Sequence, residues 1–182
     1  FMDTYVMKRE LFLNLIKNTH KVSALYDLKD CINTACQDLD VRGVAHRGYF
    51  ASITDFNSYY EASLSFLDHK KALSLFSEDW PIYTKTSDSC PTQYFEGANV
   101  KSSVISNGCI IEGTVENSII FRGVHIHKGA VVKNSIIMQE ADIQANAELA
   151  YAILDKDVVI REGRKLYGWE RTPYVVAKGQ VI

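Results

Sequence analysis

Three near-copies of one phrase stand in the middle of the chain: Val100-Lys-Ser-Ser-Val-Ile105, Val115-Glu-Asn-Ser-Ile-Ile120 and Val132-Lys-Asn-Ser-Ile-Ile137. A weaker fourth, Leu149-Ala-Tyr-Ala-Ile-Leu154, follows, and successive copies begin 15, 17 and 17 residues apart. Between them an aliphatic residue returns every six positions: Ile120, Ile126 and Val132, then Ile137, Ile143 and Leu149. That period fits neither a helix face nor a plain amphipathic strand. It fits a chain that runs straight, turns and repeats, with one aliphatic side chain pointing inward on each flat face. Three faces make a coil of about eighteen residues, and repetition at a short fixed period is the mark of a solenoid. A single coil cannot bury its own aliphatic row, whereas stacked coils bury a continuous one. Ser118, Ala130, Ser135, Ala141 and Ala147, each two places before an aliphatic position, are small enough for tight corners. Asn107-Gly108, Glu112-Gly113, Arg122-Gly123, Lys128-Gly129 and Glu162-Gly163 supply turn chemistry.

Composition excludes several classes. A chain of 182 residues, 47% hydrophobic, can build one or two domains with real cores. Its net charge of −2 and lack of a long basic run argue against nucleic-acid partners. No apolar run reaches membrane-spanning length and no signal-peptide pattern is present, so a cytoplasmic location is expected. Cys31, Cys36, Cys90 and Cys109 form no Cys-x-x-Cys pair and read as reduced structural thiols. The five histidines make no zinc-type spacing with them, so no metal site is read.

In chain order, the sequence opens on Phe1 and strand-like Tyr5-Val6-Met7, an unusual start that suggests a piece of a longer protein. Leu11, Phe12, Leu15 and Ile16 predict an amphipathic helix over 8–17, and Leu28, Cys31, Ile32 and Ala35 a second over 28–37, capped by Asp27. Val41 to Phe50 reads as a strand. Thr54 or Asp55 is placed to cap a helix with the apolar face Phe56, Tyr60, Leu64 and Leu67, and a short helical piece covers Ala72 to Phe76. Asp79 to Glu96 reads as a linker, and the solenoid begins near Gly97. The tail, with Tyr174-Val-Val-Ala177 and Val181-Ile182, is expected to cap the open end.

This order of elements resembles the C-terminal half of the glucose-1-phosphate adenylyltransferase (ADP-glucose pyrophosphorylase) family. Phe1-Met2-Asp3-Thr4-Tyr5-Val6-Met7 resembles the family's Ser-Met-Gly-Ile-Tyr-Val-Phe. Gly48-Tyr49-Phe50-Ala51-Ser52-Ile53-Thr54-Asp55 resembles its Gly-Tyr-Trp-Arg-Asp-Val-Gly-Thr, and Ser58-Tyr59-Tyr60-Glu61-Ala62 its Ala-Tyr-Trp-Glu-Ala. The repeats resemble its Asn-Ser-Val/Ile-Ile phrases. The resemblance implies a mainly β fold: a single-stranded left-handed parallel β-helix of hexapeptide repeats (97–182), preceded by the C-terminal α/β fragment of a nucleotidyltransferase domain (1–50) and a helical connector (51–96).

The departures carry the functional expectation. Ser52 stands where the family has its metal-binding Asp, and a neutral hydroxyl does not supply the charge that holds Mg²⁺ near phosphates. Ala51 replaces the preceding Arg and Thr54 the following Gly. The segment resembling the family's His-Asp-Phe-Gly-Lys-Asp-Ile-Ile-Pro reads Leu25-Tyr26-Asp27-Leu28-Lys29-Asp30-Cys31-Ile32-Asn33. The family's Gly-rich phosphate loop is not in this sequence. Nucleotidyl transfer rests on positioning and charge neutralisation, so the sequence offers no catalytic residue and calls for no cofactor of its own. The pattern is similar to the non-catalytic, GlgD-type subunit class of glycogen biosynthesis. That similarity implies a regulatory or assembly role in a heterotetramer with a catalytic, Mg²⁺-using adenylyltransferase subunit. A catalytically competent sugar-phosphate nucleotidyltransferase and a hexapeptide-repeat acyltransferase are the alternative functions.

Further candidates follow from single clusters. Arg161, Arg164 and Lys165 offer an anion site for a sugar-phosphate or nucleotide effector, against a plain solvated rim. An acyltransferase would use His125 or His127 as general base, but both flank inward Ile126 and are expected to face outward. Phe56, Tyr59 and Tyr60 are expected to seat their helix, and Cys109 to fill a corner. Ile119 and Ile136, beside the inward Ile120 and Ile137, are candidates for an outward apolar assembly patch.

Overall fold

The computed structural model describes residues 2–19, 27–76, 81–84, 86 and 88–182. Leu25 and Tyr26 of the helix-start segment, and Asp79, Trp80, Lys85 and Ser87 of the expected linker, lie outside the described residues. The chain divides into two units, Phe1–Gly48 and Tyr49–Ile182. No helix among the described residues is long and apolar enough to cross a membrane.

In the first unit, helices α1 (Arg9–Thr19) and α2 (Leu28–Ala35) pack together. Among the described residues of this unit, Leu15 and Cys31 are buried. Asp27 caps α2 by accepting the Asp30 amide at 2.9 Å, as its place before the apolar face predicts. The two strands expected here do not form among the described residues: Tyr5 to Met7 and Val41 to Phe50 have no regular secondary structure and join no ladder. Val6 and Val44 are 99% and 93% exposed. Strand propensity reflects fit to a half-buried pleated surface, and without a partner edge these β-branched runs remain open chain.

In the second unit, Asp55 starts α3 (Phe56–Leu64) with a reciprocal capping box. Its carboxylate accepts the Ser58 amide at 2.7 Å while Ser58 Oγ accepts the Asp55 amide at 3.0 Å. These hydrogen bonds to the Ser58 amide and hydroxyl hold the Asp55 carboxyl below the usual carboxylate range. A 3₁₀ turn (Ser65–Leu67) and a second cap, Asp68, lead into α4 (His69–Leu75).

Five coils follow. The first holds β1 (Gln93–Tyr94), β2 (Asn99–Lys101) and β3 (Val104–Ile105); the second β4 (Ile110–Ile111), β5 (Thr114–Glu116) and β6 (Ile119–Ile120). The third holds β7 (His125–Ile126), β8 (Val131–Lys133) and β9 (Ile136–Ile137); the fourth β10 (Asp142–Ile143), β11 (Glu148–Ala150) and β12 (Ala152–Leu154). The fifth holds β13 (Val159–Ile160), β14 (Lys165–Tyr167) and β15 (Tyr174–Val176). Each coil gives one strand to each of three parallel five-stranded sheets, which we call the first (β1, β4, β7, β10, β13), second (β2, β5, β8, β11, β14) and third (β3, β6, β9, β12, β15). The first ladder strand lies four residues ahead of Gly97. The tail does more than plug an end: β15 extends the third sheet and Val181 bridges Val159 in the first.

The six-residue rows meet in the middle. Ile111, Val115, Ile120, Ile126, Val132, Ile137, Ile143, Leu149, Leu154 and Ile160 are all essentially inaccessible and form one cluster. Each contributes roughly 1.5–3 kcal/mol by leaving water. The repeated Asn-Ser step has a separate task at the corner entering the third sheet. Ser102, Asn117, Asn134 and Tyr151 there take φ of 46, 49, 46 and 53°, a left-handed conformation that Asn tolerates better than most residues. The serine after each Asn turns inward and links coils. Ser118 Oγ donates to the Glu116 carbonyl at 2.7 Å and accepts the Ser135 amide at 3.0 Å. Ser135 Oγ donates to the Lys133 carbonyl at 2.7 Å and accepts the Ala152 amide at 3.1 Å. At another corner Gly113 is required by closeness: a Cβ there would stand 2.4 Å from the Ala130 carbonyl oxygen.

Helix α3 lies on the outer face of the third sheet. Tyr60, 2% exposed, packs with Ile136 and Ile153, flanked by Tyr59, Leu64, Phe121, Met138 and Tyr151. Its hydroxyl donates to the Asn134 carbonyl oxygen, an acceptor on the left-handed corner. Burial pushes the phenol well above its ordinary range. Tyr59 and Tyr60 therefore seat the helix as expected, whereas Phe56 in its first turn is 64% exposed.

The corner serines and the α3 anchor can each be tested by substitution. Ser135→Ala strands the buried Ala152 amide and is expected to cost about 1–3 kcal/mol in urea denaturation; Ser103→Ala, at the ladder's outer end, should cost less, and equal losses would show that the corner serines do not tie the coils. Tyr60→Phe is expected to cost about 0.5–1.5 kcal/mol and Tyr60→Ala about 3–5 kcal/mol in the same measurement, and a neutral Tyr60→Ala would mean that α3 docks without this anchor.

Candidate functional site

Residues Tyr49 to Asp55 lead into α3 without regular secondary structure. Tyr49 anchors the segment by packing on Phe66, with ring centroids 5.0 Å apart, and its hydroxyl lies 3.4 Å from Ser65 Oγ. Ser52 is exposed on this segment. Beside it opens a groove of ≈ 710 Å³ between the start of α3 and the third sheet, lined chiefly by Ile53, Phe56, Tyr59, Met138, Ile153 and Val175. Its carboxylates are Asp55 and Asp155. Asp55 is committed to the capping box, and Asp155 Oδ1 accepts the Lys156 amide at 2.7 Å. A magnesium ion bound near phosphates needs free hard oxygen ligands. An alcohol, a capping carboxylate and an apolar lining do not fit that ion.

The expected effector cluster lies on the corner between the first and second sheets of the last coil. Arg161, Glu162, Gly163 and Arg164 form the exposed turn. Lys165 differs from its neighbours, because its ammonium pairs with Glu148 Oε1 at 2.7 Å and the Tyr167 hydroxyl donates to Glu148 Oε2. Hydrogen bonds from Lys165 and Tyr167 hold the Glu148 carboxyl below its usual range, and the same pairing raises Lys165. The guanidinium groups of Arg161 and Arg164 are thus the better placed of the three for an incoming anion.

His125 and His127 flank inward Ile126 and face outward, as strand alternation requires. They are not simply solvated. His125 Nε2 lies 3.1 Å from Glu112 Oε2, His127 Nε2 lies 2.7 Å from Asp142 Oδ1, and the two rings stack with centroids 3.6 Å apart. Sequence reasoning missed Glu112 and Asp142. They come from the coils before and after the histidines, and only the ladder register brings them alongside. Cys109 is a buried corner filler whose thiol donates to the Phe121 carbonyl, and burial raises its pKa.

The outward apolar patch needs correction. Ile136 is fully buried beneath α3, and Ile119 in the same column is half-buried. The chain covers Ile136 and Ile153 of that column with its own helix, while Val104 and Val175 at its two ends stay exposed.

A family profile described as "GlmU-like, C-terminal hexapeptide" matches residues 91–171. Over 180 residues the chain is 34% identical to the glycogen biosynthesis protein GlgD of Bacillus subtilis (strain 168), covering 99% of this chain and 52% of that protein. It is 41% identical over 180 residues to GlgD of Geobacillus stearothermophilus, with the same shares. It is also 36% identical over 119 residues to the glucose-1-phosphate adenylyltransferase of Fervidobacterium nodosum, covering 65% of this chain and 29% of that protein. The chain spans about half the length of the GlgD relatives it matches. With a hexapeptide solenoid behind the Tyr49–Asp55 segment and GlgD proteins aligned over 180 of its residues, the chain is similar over nearly its whole length to GlgD glycogen biosynthesis proteins and, over about two thirds of it, to glucose-1-phosphate adenylyltransferases.

Proposed function

We propose that this chain is part of a non-catalytic subunit that assembles with a catalytic glucose-1-phosphate adenylyltransferase in bacterial glycogen biosynthesis and tunes it. The observation that carries the reading is Ser52. On the segment where the family resemblance places a metal-binding carboxylate, this chain offers a hydroxyl beside an apolar groove. The nearest carboxylate in sequence, Asp55, is held by helix capping. A subunit without that charge has no means there to neutralise a transferring nucleotide phosphate. It retains a rigid solenoid on which a partner's subunits can pack. The Mg²⁺ of the reaction then belongs to the partner, and a heterotetramer is the assembly that the resemblance implies. The relatives named GlgD, a glycogen biosynthesis protein, support the pathway.

The acyltransferase alternative gains no support from the histidines. Both rings are engaged by carboxylates of their own chain, and no second histidine-bearing surface is needed to explain them.

For the effector, the proposal is that Arg161 and Arg164 take a phosphate group of a sugar phosphate or nucleotide, with Lys165 withheld by Glu148. Arginine forks suit phosphate oxygens, and paired charge-assisted bonds give the contact its strength.

The whole protein, purified alone, is expected to form no ADP-glucose from ATP and glucose 1-phosphate with Mg²⁺. Mixed with the catalytic subunit, it should co-elute in size-exclusion chromatography with light scattering and shift that subunit's kcat or effector response. Robust turnover by the protein alone overturns the non-catalytic reading, and failure to co-elute overturns the partnership. In calorimetric titrations with fructose 1,6-bisphosphate and with AMP, the R161A/R164A pair should weaken binding at least tenfold, and Glu148→Gln, by releasing Lys165, should strengthen it. Binding unchanged in both variants rejects the site.

A further inference from the structure

The outward face of the first sheet holds a cluster that the adenylyltransferase reading does not use. In the ladder Ile110 stands opposite His125, His125 opposite Asp142 and Asp142 opposite Val159. The next outward column carries Glu112, His127 and Gln144, since their amides donate in turn to the Ile126, Ile143 and Ile160 carbonyls. Two imidazoles and two carboxylates thus come from three successive coils, fixed on strands whose inward neighbours Ile111, Ile126 and Ile143 are fully buried. Such a scaffold holds ligand positions far more rigidly than a loop does.

We infer that Glu112, His125 and His127 form a site for a zinc-type divalent cation, with Asp142 as the group that orients His127. Glu112 Oε2, His125 Nε2 and a nitrogen of His127 lie within 4.8 Å of one another. Glu112 Oε2 is 3.1 Å from His125 Nε2 and 4.0 Å from His127 Nδ1. Ligands at ordinary zinc–nitrogen and zinc–oxygen bond lengths in a tetrahedron stand about 3.4 Å apart, so the measured separations bracket the loaded geometry. The rings now stack at 22° to each other, and loading requires them to unstack and tilt so that their in-plane lone pairs converge on one ion.

The Asp142 contact is the telling detail. A carboxylate 2.7 Å from His127 Nε2 accepts a hydrogen bond from the N–H at that nitrogen. The tautomer that donates through Nε2 has its lone pair on Nδ1, the nitrogen 4.0 Å from Glu112 Oε2. A carboxylate that accepts from the far nitrogen of a metal-binding imidazole is the usual outer support of such ligands. Gln144 Nε2 lies 3.4 Å from Asp142 Oδ2 and its Oε1 accepts the Glu162 amide at 3.2 Å, which holds the outer group in turn. Cation entry replaces the His125–Glu112 hydrogen bond with two bonds to the metal, and His125 passes to its other tautomer: the Nε2 proton goes to solvent while solvent protonates Nδ1, which frees the Nε2 lone pair for the ion. The side chains of Glu112, His125 and His127 are each 33% exposed. The ion can therefore enter, and one coordination position stays open to water or to a ligand group. Two histidines and one carboxylate with an open position favour Zn²⁺ over Mg²⁺ or Ca²⁺, which prefer all-oxygen shells.

Zn²⁺ added to the untagged, chelator-treated, reduced protein should bind one ion per chain in calorimetry and raise its Tm. H125A/H127A should reduce the affinity at least tenfold. Glu112→Gln and Asp142→Asn, which keep side-chain shape, should each weaken it, the latter by roughly 10–100-fold. His69→Ala on α4 should leave it unchanged. Co²⁺ in place of Zn²⁺ should give a visible spectrum of nitrogen and oxygen ligation. A thiolate-to-cobalt charge-transfer band would place the ion on cysteines and overturn the site, a control that does not depend on any variant folding. No stoichiometric binding, or binding retained in H125A/H127A, would equally overturn it, leaving a hydrogen-bonded histidine–carboxylate network without a metal. None of these results bears on ADP-glucose formation.

Discussion

In a stacked-coil protein no coil can satisfy its own backbone. Each strand here is two or three residues long and meets its hydrogen-bond partners only in the coils above and below. A buried amide or carbonyl left unpaired costs roughly as much as one buried methyl-bearing side chain gains. The coil must therefore return in register every time, and that requirement governs every other feature of the second unit. The aliphatic rows stack because register places Val100 on Val115, Val115 on Val132 and Val132 on Leu149. The corner serines exist because the turn leaves amides at Ser135 and Ala152 that no strand carbonyl reaches. The spacing changes from 15 to 17 residues without loss of register: the extra residues fall in turns, and the pairs Ile120–Ile137 and Ile111–Ile126 stay aligned.

What the residues reveal on their own follows from the same requirement. A feature that must recur in every coil leaves a periodic trace, so the inward positions, the fold class and the corner chemistry are visible in the sequence alone. Asp27 and Asp55 are visible because capping is local and uses a small set of side chains. Features that depend on one non-repeating partner are not. The open chain at Tyr5–Met7 and Val41–Phe50 carries β-branched residues as a true strand would, and only the lack of an edge distinguishes it. β1 escapes because Gln93-Tyr94 carries no aliphatic phrase and pairs through its backbone. Ile136 reads as exposed because strand alternation gives the face, and nothing in the repeat says that Tyr60, 76 residues earlier, covers it. Glu112 and Asp142 belong to this second group, since each is an ordinary polar residue until register sets it beside a histidine.

Ser52 is legible because a single missing charge on a recognisable segment changes what chemistry is available. What the fold adds is that the neighbouring carboxylate does not compensate. Asp55 lies three residues from Ser52, near enough to be considered as a substitute ligand. Its hydrogen bonds to Ser58 and the resulting downward shift of its pKa mark it as a cap fixed in place by the helix it starts. A group that gives up its cap to hold a cation would loosen α3. That helix carries Tyr60 and so covers the outer face of the third sheet.

The three sheets share one backbone plan but present different outer faces, and this is where a repeat protein can acquire function without disturbing its core. Inward positions are constrained in every coil by packing at near-crystalline density. Outward positions are constrained only by what covers them. The third sheet carries an apolar outer column, Val104, Ile119, Ile136, Ile153 and Val175, which α3 covers over Ile136 and Ile153. The second sheet presents salt-bridged rungs to solvent, Lys133 with Glu116 and Lys165 with Glu148. The first sheet pairs histidines with acids across three coils, and there carboxylates rather than ammonium groups meet the imidazoles. In a solvated rung the opposite charges of Lys and Glu already balance. On the first sheet two imidazoles and two carboxylates converge instead, the donor set that the proposed divalent cation would use, on a surface whose geometry the buried isoleucines beneath it have already fixed.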